Sequence, residues 1–241
     1  MMLTAVTLAN RELVKFWREK ARVLGFAAAP LLFWFVVSLG FNDFTRFFGG
    51  SIALALMFSA VFSNMTLIED RKEGFIAGVM VTPAPRAGIV VGKVGGAALL
   101  AWLQSLIFLL FLPLTGLHPG FFGVLGALGV LALIGLLFTL VGFLCAWKMP
   151  STQAFHGVVN MLLMPMWMLS GALFRFGEAH PWMQMAMQVN PMTYAISLLN
   201  GCFGLAAPFG VGLSLAVLGG WSVGLLGVAI VLVGRSENAA A

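Results

Sequence analysis

The chain has 241 residues, of which 61% are hydrophobic and only 9% charged, with a net charge of +5 and a mean hydropathy of +1.04. Such values exclude a water-soluble globular domain and place the chain in a membrane. A nucleic-acid partner is excluded as well, because the basic residues are not interleaved with stacking aromatics on a soluble module.

Residues 1–23 come first. Arg11, Lys15, Arg18 and Arg22 recur at helical spacing on one face, and Leu13, Phe16, Trp17 and Leu24 mark another, the pattern of an amphipathic helix lying in the membrane interface. A basic tail that merely sets topology is the alternative, and the Phe16-Trp17 pair favours the ordered helix. The apolar run behind this segment is too long for the core of a cleavable signal peptide. Six stretches then carry no Asp, Glu, Lys or Arg, at 24–41, 51–68, 94–112, 121–147, 157–174 and 209–234. A bilayer core needs roughly 20 residues of helix, and unbroken rather than alternating apolar runs exclude a β-barrel. The expected fold is all-α, a single transmembrane domain over 1–241 with six spanning helices.

The loops orient it. With a cytoplasmic N-terminus, eleven of the thirteen basic residues fall inside and only Arg46 and Arg175 outside, as the positive-inside rule requires. Both termini and the 69–93 loop are then cytoplasmic. Cys145 and Cys202 lie near opposite membrane faces, so no disulfide is expected.

Enzymatic chemistry finds no support. The stretch "GIVVGKV" at 88–94 has one residue too few between its glycines for a phosphate loop, and Val94 where a magnesium-binding hydroxyl belongs. Ser170 lacks a nearby His for nucleophilic catalysis, and His118, His156 and His180 are too scattered to hold a metal. No catalytic or metal residues are expected, and no cofactor bound by the chain itself. The six stretches also lack the buried ionisable group that ion-coupled carriers use. Gln104 and Asn160 are their most polar side chains, a type that usually bonds a neighbouring helix.

The charge that is present concentrates in "EDRKEGFIAGVMVTPAPR", 69–86. Five charged residues run from Glu69 to Glu73, Gly74 permits a turn, Phe75, Ile76, Val79 and Met80 make a short apolar helix, and Thr82 and Pro83 open the stretch that ends it. Such a helix, held at the cytoplasmic surface, either inserts in a groove on a soluble partner or folds back on the bundle.

These residues resemble the permease subunits of ATP-binding-cassette exporters of the type-2 family. In that family a Glu-Arg pair after the second span is followed by Gly, a short cytoplasmic coupling helix, Thr-Pro, and Gly-Lys opening the third span; Glu69, Arg71, Gly74, Thr82, Pro83, Gly92 and Lys93 match. A second match, "NPMTY", places Asn190, Pro191, Thr193 and Tyr194 in an external re-entrant segment within 175–208. There are departures: Phe75, Ile76 and Ala77 stand where Thr and an acid are common, and Ser197 and Asn200 where an acid and Arg are common. The resemblance implies two copies of the chain forming the substrate path in a bacterial cytoplasmic membrane. It also implies two separate ATPase subunits, which bind the ATP and magnesium and dock on the helix of Phe75, Ile76, Val79 and Met80, with Glu69 and Arg71 pairing with the interfacial helix or the ATPase. The implied substrate is amphipathic: a drug or antibiotic, a lipid or a lipid-linked glycan. The competing class is a secondary carrier or channel with no ATPase.

Overall fold

The computed structural model describes residues 6–12, 14, 20–80 and 86–235. Backbone groups in an apolar medium have to bond within their own segment, and the described chain is helical with no strands. Residues 6–12 form α1. Helix α2, Lys20–Phe41, and helix α3, Phe44–Phe62, make a hairpin. Its turn is set by Asn42 at φ 53, a left-handed value that Asn tolerates, and by Asp43, whose carboxylate accepts the Arg46 backbone N–H at 2.9 Å and caps α3.

Helix α3 breaks at Ser63 and Asn64 and resumes as α4, Met65–Lys72. The break is held by the Asn64 amide, which donates to the Ala60 carbonyl at 2.9 Å and across to the Thr139 carbonyl of the fourth long helix at 3.2 Å. Then follow α5, Phe75–Met80, α6, Arg86–Leu109, a 3-10 turn at Leu112–Thr115, and α7, Phe121–Lys148. Helix α8, Thr152–Trp167, carries Pro165 inside it and runs into a π turn, Met168–Ala172. Helices α9, Pro181–Val189, α10, Pro191–Cys202, and α11, Val211–Arg235, complete the described chain.

Four described helical rods are long and apolar enough to cross a membrane: Phe44–Lys72, Ala87–Leu109, Phe121–Lys148 and Val211–Arg235. Ala28–Phe41 is a shorter apolar helix. The second uncharged stretch, 51–68, is only the middle of a rod that begins at Phe44 and continues to Lys72, so Glu69 to Lys72 lie in helix rather than in a loop beyond it. Of these only Asp70 is buried, and countercharges from other helices meet it.

The α3–α4 rod is the axis of the bundle, with 89% of its most apolar window buried against 22% for α11 at the periphery. Helices α2, α6, α7, α8 and α10 all pack on α3. Near its start Trp34 of α2 sits in a cage of aromatic edges, 5.6 Å from Phe44 and 5.5 Å from Phe48. Helix α8 buries only a thin stripe, Phe155, Val159, Leu163 and Trp167, at helical i+4 spacing. Most of the rest of its surface, including Asn160, is exposed.

Candidate functional site

At one end of the bundle four charged side chains from three helices meet, three of them buried. Glu12 of α1, Asp70 of α4 and Lys93 of α6 are each at most 3% exposed. The Lys93 ammonium donates to both carboxylates, Glu12 Oε1 and Asp70 Oδ2. Arg11 adds a fork to Asp70, Nη1 to Oδ2 at 2.7 Å and Nη2 to Oδ1 at 2.9 Å, the bidentate geometry that gives guanidinium–carboxylate pairs their strength. The Thr66 hydroxyl donates to the remaining Glu12 oxygen at 2.9 Å. Two cations therefore face two anions, and all four carboxylate oxygens accept bonds. A buried charge is tolerated under those conditions, because mutual attraction and full hydrogen bonding offset the loss of water. The Asp70 hydrogen bond raises the Arg11 pKa above its already high ordinary value, outweighing the opposing effect of burial, so Arg11 is a permanent cation.

The backbone brings these groups together. A Cβ on Gly96 would lie 2.9 Å from the Ala9 Cα, a separation real side chains do not reach, so α1 rests directly on the backbone of α6. Gly96 is three residues beyond Lys93 and shares its face. The bare glycine lets Glu12 descend to the ammonium.

Helix α5 hangs from this cluster. Gly74 turns the chain out of α4 at φ +77, and the Arg11 guanidinium lies 3.8 Å over the ring of Phe75, a cation–π contact. Ile76 is buried in the bundle's own core, while Gly78 is exposed and Val79 half-exposed. The outward surface of α5 is thus formed at Gly78 and Val79, and Ile76 faces away from any partner. Thr82 and Pro83 lie outside the described residues, as do the side chain of Met80 and those of Lys15, Phe16, Trp17, Arg18 and Arg22.

Of the Glu-Arg pair singled out in the sequence, Glu69 is half-buried on α4, and Arg71 donates to the Ala146 and Trp147 carbonyls at the end of α7. Cations suit a helix C-terminus, where carbonyls are left over. Between the two, Asp70 pairs with Arg11 of α1. Glu12, Arg11, Asp70 and Lys93 were missed as a set. A trace existed, since Glu12 is an acid in a segment rich in Lys and Arg, and Lys93 stands at the head of an apolar run.

The Asn-Pro-x-Thr-Tyr residues gather at the opposite end. Asn190 caps α10 by accepting the Met192 N–H at 3.0 Å, and its amide donates to the Met166 and Leu169 carbonyls at 2.5 and 2.7 Å. Those carbonyls belong to the point where α8 unravels, after Pro165 and before Gly171 at φ +89. Pro191 occupies the first turn of α10, where its missing N–H costs nothing. The Tyr194 hydroxyl donates to the Gln188 carbonyl at 2.8 Å. Thr193 is buried, and among the described residues its hydroxyl has no hydrogen-bond partner.

Residues 5–203 match the family described as ABC-2 type transporter. The chain belongs to that family. The match takes in the charged cluster, α5 and the Asn190 motif, and it identifies this multi-pass membrane protein as the permease component of an ABC transporter, a transport subunit and not itself a catalyst. No match to a curated protein was found.

Proposed function

We propose that this ABC-2 permease is the membrane half of an ATP-driven exporter. It crosses a bacterial cytoplasmic membrane six times, with α2 and α8 joining the four long rods, and its charged end faces the cytoplasm. Two ATPase subunits, which hold the ATP and magnesium, dock against α5 of two copies of the chain. The observation that carries this reading is the position of Arg11, which grips Asp70 with its edge and covers Phe75 with its face. Through Lys93 the same cluster ties α1 and α4 to α6, so force applied at Val79 reaches three helices at once. A rigid-body switch needs such a linkage. The substrate is amphipathic, moving along a path between two copies; Asn160 on the exposed face of α8 supports that placement, since a polar side chain is costly against lipid.

The test is co-purification. Val79→Asp puts a carboxylate where an apolar socket is expected, a loss of at least a few kcal/mol, and leaves the bundle's core untouched. Normal membrane levels with loss of the ATPase are expected, and retention of the partner at wild-type stoichiometry rejects α5 as the docking helix. For topology, a reporter active only outside the cytoplasm should be active after His118 and silent after Lys148; the reverse result rejects the orientation.

A further inference from the structure

The end of the bundle away from the charged cluster holds a cavity of about 500 Å³, between the start of α3, the unravelled end of α8 and the chain after α10. Four charged side chains stand in its wall: Asp43, Arg46, Arg175 and Glu178. Arg175 and Glu178 pair with each other at 3.5 Å on the surface. Arg46 and Asp43 behave differently. The Arg46 guanidinium donates to the Leu173 carbonyl at 3.2 Å and lies 5.2 Å over the Phe47 ring, and among the described residues it meets no carboxylate. The Asp43 carboxylate accepts one backbone N–H and likewise has no ion-pair partner there. The two sit a single helical turn apart, are both half-buried, and do not pair with each other.

The same wall includes Thr193 and Asn200, whose hydroxyl and amide oxygen have no hydrogen-bond partner among the described residues. Buried polar groups are nearly always paired. An unpaired cation, an unpaired anion and two unsatisfied polar side chains around one space of ligand size describe a surface complementary to something that carries both charges.

We propose that this cavity binds a zwitterionic phosphoester, an oxyanion joined to an ammonium by a short chain. The oxyanion meets the Arg46 guanidinium, whose fork suits phosphate. The ammonium meets Asp43. Arg46 and Asp43 do not pair with each other, so each is left to meet one charge of the ligand. A phospholipid head group and a free phosphoamine share this chemistry. The site stands apart from the docking reading, since binding is measured without any ATPase.

The experiment is calorimetric titration of the purified full-length chain in maltoside micelles. The titrants are dihexanoylphosphatidylethanolamine, O-phosphoethanolamine, and dihexanoylphosphatidylglycerol, which has the phosphate without the ammonium. The ethanolamine lipid should bind at least about tenfold more tightly than the glycerol lipid, the equivalent of one hydrogen-bonded charge contact. Asp43→Asn, which keeps the helix cap because Asn caps as well as Asp, should abolish that preference. Arg46→Gln should weaken both lipids by at least about tenfold, and Lys148→Gln at the other end should change neither. Free phosphoethanolamine binding as tightly as the lipid assigns a soluble ligand, and markedly weaker binding assigns a lipid; either supports the site. Equal affinity for the two lipids, wild-type binding in Asp43→Asn and Arg46→Gln, or no binding of any titrant overturns it.

Discussion

At the charged end of the bundle Glu12, Asp70 and Lys93 are buried and, with half-buried Arg11, pair with one another, whereas at the other end Arg46 and Asp43 line an open space and leave each other alone. The chemistry of the two sets is the same, guanidinium or ammonium against carboxylate. Their states differ, and so do the tasks proposed for them. A saturated cluster can transmit force and has nothing left to offer a ligand. An unsaturated one leaves binding capacity free, and its own members contribute little to holding the fold.

The contrast can be broken by substitution. The largest loss should come from Lys93→Met, which strands the Glu12 and Asp70 carboxylates in the core without their shared ammonium and costs about 3–5 kcal/mol. Thermal unfolding of the detergent-solubilised chain should show it, and the double variant with Glu12→Gln should recover part of the loss. Wild-type stability of Lys93→Met would mean the cluster is hydrated and not a structural joint. Next, Asn190→Ala frees the Met166 and Leu169 carbonyls at the break in α8 and should cost about 2 kcal/mol in the same assay.

One substitution made at both ends sharpens the comparison. Arg11→Gln removes a bidentate pair and should cost about 1.5–3 kcal/mol. Arg46→Gln removes no ion pair and should cost under about 1 kcal/mol. Similar losses at the two ends would erase the distinction. Smallest of all, Thr193→Val keeps the shape and removes a hydroxyl that bonds nothing, so stability should stay the same or rise slightly. A clear loss there would reveal a partner for that hydroxyl.

How much of this was legible in the sequence depends on the range of the interaction. The helical class was legible because each uncharged run has to satisfy its backbone internally, which is a local requirement. The turn at Gly74 and the short helix after it are local too, and each follows from residues within a few positions. The charged cluster was not legible. Lys93 and Glu12 lie 81 positions apart, and nothing in either segment records the register at which α1 rests on Gly96. For the same reason Glu69 and Arg71 stood out in the sequence while Asp70, between them, went unremarked although it is the one buried in the cluster: which of three adjacent helical residues points inward depends on the partner helices. The inward face of Ile76 was hidden likewise, since an apolar helix six residues long has no polar side to define its exposed surface.

The central claim is that the charged cluster carries motion from α5 to the far end of the bundle. Ala207, exposed at the cavity wall, can be replaced by Cys in a chain whose half-buried Cys145 and Cys202 are changed to Ser, and the assembled transporter labelled with a membrane-impermeant maleimide with and without a non-hydrolysable ATP analogue. The account predicts that the nucleotide changes the labelling rate in this chain and that the change disappears when Arg11→Gln is added, with the ATPase still bound. An undiminished nucleotide response in the Arg11→Gln protein would contradict it.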